Sequence, residues 1–387
     1  DIESLPFIEA IRQMKYRVGE ENCCYIHLTL VPYLGKAHEM KTKPTQHSVK
    51  ELQELGIQPN ILMLRTELPI DENTRERLAL FCNVDTDCVI QNLNAKSIYE
   101  VPLNMEKEGL GDAVCKALGL ETRETQLADW AKMVHTFENP KHRVTIALVG
   151  KYIELHDAYL SVVESLTHGG IANEAEVVLD WIDSETLTDD AKTVERLAGA
   201  DGIIVPGGFG SRGIEGMVRA ARYARLNKIP YFGICLGMQI IVIEYARDVL
   251  GWADAHSTEI DKDTTHPVID LMPDQNGKIL GGTLRLGKFE CAVKPGTLTE
   301  KAYSSQTVWE RHRHRYEFNN KYRDDLEKAG LIIAGVNPER DLVEIVEVPD
   351  HPWMLGGQFH PEFKSRPNRA GPLFRDFIKA AVEYGGN

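Results

Sequence analysis

Apolar and polar positions along the chain follow two patterns that predict helices and strands in alternation. Apolar residues three to four positions apart predict helices, and short continuous apolar runs predict buried strands. In the first third, the predicted helices cover 5–14, 45–55 and 72–80, and the predicted strands cover 23–31, 60–64 and 87–91. Because strands that alternate with helices usually form parallel sheets covered on both faces, this region is predicted to be a doubly wound α/β domain.

A second alternation begins near residue 144. Its predicted strands are 144–149, 176–179, 201–205, 230–234, 331–336, 342–348 and 353–359, and its predicted helices are 158–167, one ending near 226, 236–248 and 373–384. The polar stretch 121–143, with one helix predicted around 127–135, is interpreted as a linker. The pattern therefore predicts an α/β protein with two doubly wound, mostly parallel-sheet domains, 1–120 and 144–387.

The composition narrows the class of protein. The 387 residues are 43% hydrophobic and 26% charged, which is typical of a globular protein and excludes a disordered chain. The net charge of −14 argues against a protein that coats nucleic acid, and no apolar run is long enough to span a bilayer. The seven cysteines are irregularly spaced and form no zinc motif or disulfide framework, so a reduced, cytoplasmic protein is expected.

One cysteine lies between a predicted strand and a predicted helix. The segment Gly233-Ile234-Cys235-Leu236-Gly237 is the thiol form of a nucleophile elbow, in which small flanking residues permit a tight turn. The N-terminal dipole of the following helix favours the thiolate over the thiol. A lone cysteine in an apolar stretch is more often a packed core residue, but the two glycines and the strand–turn–helix context favour a nucleophile here.

Two further segments supply what a thiolate nucleophile needs. In Gln358-Phe359-His360-Pro361-Glu362, His360 ends a predicted strand and Glu362 follows two residues later, so imidazole and carboxylate are predicted to face one site. The glycine-rich segment 206–210 follows the strand predicted to neighbour the elbow strand, and its N–H groups can approach a developing oxyanion. A glycine turn is common by itself, so this loop is informative only through its position.

These three motifs, in this order over about 144–383, resemble the class I (triad) glutamine amidotransferases. The resemblance implies that Cys235 attacks the side-chain amide of glutamine and that water later hydrolyses the γ-glutamyl thioester. It implies that His360 acts as general base and then acid, oriented by Glu362. The residues implied to supply oxyanion N–H groups are Gly208 and Leu236.

Longer motifs in both parts of the chain resemble those of the CTP synthase family. They are DIESLPF at 1–7, KTKPTQHSVKEL at 41–52, LFCNV at 80–84, GGFGSRG at 207–213, LGGTLRLG at 280–287 and ERHRHRYE at 310–317. Alone, KTKPTQH is more often a solvated loop, although its two ammonium groups before a helix suit a polyphosphate. Members of this family phosphorylate UTP with ATP and replace that phosphate with glutamine-derived ammonia, carried through an internal tunnel.

The resemblance to CTP synthases implies a set of ligand contacts. The UTP site, which overlaps that of the feedback inhibitor CTP, maps to Asp1, Ile2, Glu3, Lys41, Thr42, Lys43, Pro44, Thr45, Gln46 and Arg77. The glutamine contacts map to Gly208, Gln239, Glu259 and Arg315, and the contacts of the activator GTP map to Phe209, Arg212, Gly213 and Glu215. Arg77 stands where many relatives have lysine. His312 and His314 are interpreted as structural.

Two departures from the family pattern affect the expected domains. No G-x-x-x-x-G-K-[ST] loop occurs, so 1–120 is expected to be the C-terminal part of a P-loop, Rossmann-like amidoligase domain. The family's ligands for Mg²⁺, which accompanies ATP, are then expected ahead of this chain, and no metal ligand is assigned within it. The connection 272–280 also looks shorter than usual.

Several alternatives stay open at the level of the sequence. One alternative is a protein that acts mainly as a stand-alone glutaminase, or as an ammonia donor to another chain. A filament-forming assembly protein is the non-enzymatic alternative. For the enzyme itself, the resemblance implies a homo-oligomer, expected as a tetramer with filaments in some members, and no nucleic-acid or membrane partner.

Overall fold

The computed structural model describes residues 2–36, 38–271 and 285–386. The chain divides into two compact units, Asp1–Val134 and His135–Asn387. The predicted UTP contact Asp1, the connection 272–280 and the first five residues of the LGGTLRLG motif lie outside the described residues. Within those ranges all seven cysteines are free thiols, and no described helix has the length and apolar character needed to cross a membrane.

The first unit alternates helices with short strands. Its helices are α1 (Leu5–Val18), α2 (Lys43–Glu54), α3 (Glu72–Cys82), α4 (Val101–Lys107) and α5 (Leu110–Ala117), and α6 (Ala128–Glu138) spans the boundary between the units. Its strands are β1 (Ile26–Leu30), β2 (Tyr33–Leu34), β3 (Glu39–Met40), β4 (Ile61–Thr66) and β5 (Val89–Leu93). Strands β1, β4 and β5 form a parallel sheet with β4 in the centre, and β2 pairs antiparallel with β3.

The edge strand β1 corrects one prediction. The apolar run 23–31 is predicted to be a buried strand, but Ile26, Leu28 and Leu30 are 45–60% exposed. These three side chains share one face because side chains alternate along a strand. Helix α2 packs against this strand, and Thr29, on the opposite face from the three apolar side chains, is buried.

The second unit contains the larger sheet. Its strands are β6 (His142–Gly150), β7 (Ala175–Asp183), β8 (Gly202–Val205), β9 (Tyr231–Ile234), β10 (His256–Ser257), β11 (Pro267–Leu271), β12 (Arg285–Val293), β13 (Thr307–His314), β14 (Tyr316–Phe318), β15 (Ile332–Asn337), β16 (Leu342–Glu347) and β17 (Met354–Gly357). Its helices after α6 are α7 (Leu160–Ala172), α8 (Asp190–Leu197), α9 (Ile214–Asn227), α10 (Leu236–Asp248), α11 (Leu298–Tyr303), α12 (Arg323–Lys328) and α13 (Pro372–Tyr384).

Nine of these strands form one sheet in the order β13-β12-β15-β16-β17-β9-β8-β6-β7. The five strands from β17 to β7 are parallel, and the four from β13 to β16 pair antiparallel. Strands β10, β11 and β14 form a separate small sheet. The predicted α/β class with parallel-rich sheets is confirmed, and the antiparallel half of the large sheet is an addition to that prediction.

Both faces of the parallel half are covered, which explains why its strands are continuous apolar runs. In β8, Ile203 and Val205 join the core cluster that includes α9 and α10, whereas Ile204 between them joins the cluster that includes α7 and α13. The carboxyl ends of β6, β8 and β9 therefore lie at one edge of a well-packed sheet. Loops at this edge of a parallel sheet usually carry the functional residues.

Candidate active site

The turn from β9 into α10 has the geometry of a nucleophile elbow. Cys235 separates the two elements and has φ 53° and ψ −97°, a strained conformation for a residue with a side chain. A Cβ atom on Gly233 would lie 2.4 Å from the carbonyl carbon of Gly237, and one on Gly237 would lie 2.1 Å from the carbonyl oxygen of Val205. Both glycines are therefore required by backbone contacts, and the predicted strand–turn–helix context is present.

An imidazole and a carboxylate lie beside this thiol. His360 Nδ1 and Glu362 Oε1 are 2.8 Å apart, and both side chains are largely buried. Because a carboxylate accepts, Nδ1 carries the hydrogen and Nε2 is left for the sulfur. Burial lowers the pKa of His360, but hydrogen bonds to Cys235 and Glu362 outweigh it and raise this pKa to about 10. His360 is therefore expected to carry its second proton near neutral pH, next to the Cys235 sulfur.

The position of the histidine differs in one detail from the prediction. The sequence pattern predicts that His360 ends a strand, but β17 ends at Gly357. His360 is the third residue after the end of this strand and lies beside the Cys235 sulfur. Its backbone N–H donates to the carbonyl of Arg311 at 2.7 Å. A bond to β13 thus holds the histidine, in addition to its own strand.

A glutamine that the sequence reasoning missed also contacts the sulfur. The amide of Gln358, which is fully buried, donates to Cys235 Sγ at 3.5 Å. Its oxygen accepts from Gln239 Nε2 at 3.2 Å, and that amide also donates to the Tyr316 carbonyl at 3.0 Å. The only sequence signal for Gln358 is its place in the QFHPE segment, since a buried glutamine just after a strand is not distinctive.

The glycine-rich loop after β8 lies over the elbow. Strand β8 pairs parallel with β9, so the loop and the elbow leave the same edge of the sheet. A Cβ atom on Gly207 would lie 3.0 Å from His360 Cε1 and 3.6 Å from Cys235 Cβ. One on Gly208 would lie 3.3 Å from the Leu236 side chain. The two predicted oxyanion donors, Gly208 and Leu236, are therefore neighbours next to the nucleophile.

Two cavities meet at this point, and both are lined by Gly208, Phe209 and Cys235. The larger, of about 210 Å³, is completed by Tyr152, Ala158, Tyr159, Val162, Pro206, Gly207, Arg313, His360, Glu362 and Phe363. The smaller, of about 30 Å³, is completed by Gln239, Glu259, His314, Arg315 and Tyr316. All four predicted glutamine contacts thus line the smaller cavity.

Of the four residues predicted to contact GTP, one lines the two cavities and three do not. Phe209 lines both cavities, with the Arg313 guanidinium 5.7 Å from its ring centre. Arg212 pairs with Glu185 at 3.1 Å, and Gly213 precedes α9 with φ 70°. Glu215 pairs with Arg247 at 2.9 Å, and hydrogen bonds from His256 and Arg247 lower the pKa of its carboxyl to about 2. The three residues Arg212, Gly213 and Glu215 line neither cavity.

The predicted UTP contacts of the first unit have different environments. Thr45 is fully buried, and its hydroxyl donates to the Leu30 carbonyl at 2.9 Å, so it has a packing role in the structure. Lys41 pairs with Glu39 at 2.5 Å. Gln46 donates to the Thr42 hydroxyl at 3.4 Å. The exposed members of the set are Ile2, Glu3, Lys43, Pro44 and Arg77.

One group in the described ranges has the spacing of metal ligands. Asp85, Asp87 and Cys88 bring their ligand atoms within 4.8 Å of one another. Lys116 already donates to both carboxylates, at 3.0 and 2.8 Å. Mg²⁺ prefers oxygen ligands, and a thiol is a soft ligand, so this group does not fit the ion. No metal-dependent step is assigned to these residues.

The fold and the site together define a class I glutamine amidotransferase unit. Residues 154–380 match the family model described as glutamine amidotransferase class-I. The solved glutaminase domain of Trypanosoma brucei CTPS, with bound acivicin, is 44% identical and aligns with a TM-score of 0.59 over 62% of this chain and 94% of that domain.

The remaining part of the chain identifies the family. Residues 1–120 match the model described as CTP synthase N-terminus. The CTP synthase of Treponema denticola is 58% identical over 383 residues, which are 99% of this chain and 72% of that enzyme. The CTP synthase of Clostridium kluyveri is also 58% identical, over 99% of this chain and 71% of its own length. The chain belongs to the CTP synthase family, a family of ligases, and the resemblance read from its motifs is confirmed.

Proposed function

We propose that this protein catalyses the ATP-dependent amination of UTP to CTP, with ammonia released from glutamine at Cys235. One observation carries the glutaminase half of the proposal. The strained Cys235 has the hydrogen-bonded His360–Glu362 pair on one side and the cavity lined by Glu259 and Arg315 on another. Membership of the CTP synthase family supports the amination half.

The proposed hydrolysis begins with attack by the Cys235 thiolate on the side-chain amide carbon of glutamine. A C–S bond forms, and the carbonyl oxygen becomes an oxyanion facing the N–H groups of Gly208 and Leu236. His360 gives its Nε2 proton to the amide nitrogen, the C–N bond breaks, and ammonia leaves. His360 then accepts a proton from water as the water attacks the thioester, which releases glutamate and restores the thiolate.

Charge complementarity supports glutamine as the substrate of the smaller cavity. The free amino acid carries an ammonium and a carboxylate, and the cavity offers the Glu259 carboxylate and the Arg315 guanidinium. We assign the ammonium to Glu259 and the carboxylate to Arg315. The Gln239 amide, 3.2 Å from Gln358, would complete the wall next to the sulfur.

The nucleotide contacts are carried over from the family. Within the described chain, Lys41 and Lys43 are the proposed partners of the UTP triphosphate, and Arg77 contributes a further cation. Family membership also supports ATP with Mg²⁺, feedback by CTP, activation by GTP through the loop of Phe209, and a homotetramer. The Mg²⁺ ion would neutralise the phosphates of ATP, and no residue described here is assigned to hold it.

Two assays on the full chain test the proposal. Glutamate release from glutamine is measured with and without GTP, and CTP formation is measured with UTP, ATP and glutamine. Hydrolysis together with CTP formation supports the proposal. Hydrolysis without CTP formation would replace it by the stand-alone glutaminase or ammonia donor. Absence of hydrolysis would overturn both enzymatic interpretations and leave the assembly protein.

A further inference from the structure

The peptide group between Phe209 and Gly210 is held at both ends by opposite charges. Its carbonyl, that of Phe209, accepts from Lys151 Nζ at 3.2 Å. Its N–H, that of Gly210, donates to Glu259 Oε1 at 3.0 Å. Because the C=O and N–H of a trans peptide point in opposite directions, the ammonium and the carboxylate together fix the orientation of this plane. Lys151 Nζ also donates to the Gly210 carbonyl.

Lys151 is unusual among lysines because its side chain is buried. It follows β6 directly and is only 3% exposed. Lysine is almost never fully buried unless its ammonium is paired, because taking a charge from water is costly. Here the carbonyls of Phe209 and Gly210 in one loop receive the ammonium, so the buried charge is paired by way of that loop's backbone.

The loop held in this way is the one that carries a proposed oxyanion donor. One peptide group, Gly208–Phe209, lies between the held Phe209–Gly210 peptide and the peptide group that carries the N–H of Gly208. The aliphatic stem of Lys151 also lies against Gly208, since a Cβ there would be 3.5 Å from Lys151 Cδ. A rotation of the held peptide would therefore shift the donor relative to the Cys235 sulfur. Oxyanion stabilisation depends on donors fixed in advance to within a fraction of an ångström.

We propose that Lys151 is a positioning residue for glutamine hydrolysis: together with Glu259 it fixes the Phe209–Gly210 peptide and, through it, the oxyanion donor Gly208. This inference rests on the proposed glutaminase function. Lys151 does not touch the reacting atoms. Glu259 has a second role in the proposed function, as the partner of the glutamine ammonium. A substitution of Lys151 therefore tests how the Phe209–Gly210 peptide is fixed without removing that partner.

The first test compares Lys151→Met with Lys151→Arg, and uses Lys192→Met as the matched control. Lys192 is an exposed lysine on α8 that pairs with Glu195. In Lys151→Met the kcat of glutamine hydrolysis is expected to fall roughly 10- to 100-fold, while the KM for glutamine changes less than about 3-fold. Lys151→Arg keeps a cation and is expected to recover part of kcat. Lys192→Met is expected to match the wild type.

The second test uses the pH dependence of kcat. Burial lowers the pKa of Lys151 to about 8, against the opposing effect of Glu259, while Arg212 lowers it further and Glu185 raises it slightly. The ammonium is present below this pH and is lost above it, so kcat in the wild type is expected to fall as pH rises through about 8. His360 keeps its proton to about pH 10 and does not cause this fall. In Lys151→Arg the fall should move to higher pH, because arginine stays charged.

A Cys235→Ala variant separates the two proposals. If it still hydrolyses glutamine, the proposed function is wrong. If it is inactive but Lys151→Met retains a kcat within roughly 2-fold of the wild type, only the positioning role of Lys151 is wrong. An alkaline fall that stays in place in Lys151→Arg would also overturn that role. A drop in kcat for Lys151→Met, partial recovery in Lys151→Arg and a displaced alkaline fall together support it.

Discussion

At the scale of single residues, the site depends on a proton held next to a sulfur. His360 is largely buried, and burial alone would leave its imidazole neutral. The Glu362 carboxylate at 2.8 Å and the adjacent Cys235 reverse that preference. An imidazolium can protonate a departing amine, whereas a neutral imidazole with this tautomer cannot. Cys235 and the Glu362 carboxylate together therefore make the histidine a useful acid at neutral pH.

The role of Glu362 is tested by Glu362→Gln. Without the carboxylate, the pKa of His360 is expected to fall from about 10 toward its ordinary value, so the imidazole loses its proton at lower pH. The kcat of glutamine hydrolysis should drop on the order of 10²- to 10⁴-fold, as when the orienting acid of a triad is made neutral. A kcat–pH profile measures both effects, with the exposed Glu195→Gln as control. An unchanged profile would remove Glu362 from the triad.

The assignment of the glutamine ammonium is tested by Glu259→Gln. The neutral amide oxygen can still accept from the Gly210 N–H, but it loses the charge that attracts an ammonium. The KM for glutamine is expected to rise roughly 10- to 100-fold, which corresponds to one charge-assisted hydrogen bond, with a much smaller loss of kcat. Steady-state kinetics over a wide glutamine range separate the two constants. A loss confined to kcat would contradict the assignment.

At the scale of elements, a helix or strand could be predicted where its buried side chains are apolar. Helix α10 is predicted over 236–248 and begins and ends at these residues, because it is apolar and is followed by a change in pattern. Strands β12 and β13 are absent from the predicted elements. In β13 the buried positions alternate with exposed ones, but they include Glu310, His312 and His314. A strand whose buried face is largely polar carries no hydrophobic period.

The same reasoning explains which site residues were predictable. Cys235, His360 and Glu362 stand in short motifs whose residue types fit only a few chemistries. Lys151 directly follows β6, and Gln358 directly follows β17. The residues next to them in the sequence do not indicate which groups they contact. The pairing of β6 with β8, and of β17 with β9, creates these contacts. Such long-range pairings cannot be read from local pattern.

The elbow itself is tested by Gly233→Ala. The added methyl group would lie 2.4 Å from the backbone of Gly237, so β9 and the start of α10 must separate. The free energy of unfolding is expected to fall by about 1–3 kcal/mol, as for overpacking elsewhere, and glutamine hydrolysis should fall by more than about 10²-fold. Gly199→Ala is the control, because a Cβ there meets no atom within 4 Å. A Gly233→Ala variant that keeps full activity, and whose elbow has the wild-type structure, would contradict this reasoning.

At the scale of the whole molecule, each compact unit has its own core, and the proposed function needs both. The proposed glutamine site lies within the second unit, and the proposed UTP contacts lie in the first. The antiparallel half of the large sheet includes a buried ion pair, Arg285 with Glu344 at 2.6 Å, with side chains no more than 1% exposed. Breaking such a pair from one side leaves an uncompensated charge in the core.

Stability of the second unit is therefore expected to depend on that pair. Glu344→Leu should lower the free energy of unfolding by about 3–5 kcal/mol, because Arg285 is left buried without its carboxylate. The double variant Arg285→Met with Glu344→Leu should recover most of this loss, since neither charge remains. Denaturant unfolding followed by circular dichroism measures both. A double variant as unstable as the single one would indicate that packing, and not the unpaired charge, causes the loss.

The most direct test concerns the central claim that Cys235 is the nucleophile for glutamine. A reaction with glutamine is quenched in acid, digested and examined by mass spectrometry, in the wild type and in Cys235→Ala. We expect a γ-glutamyl group on the peptide that contains Cys235, and no glutamate release by the variant. Glutamate release at the wild-type rate by Cys235→Ala would contradict the claim.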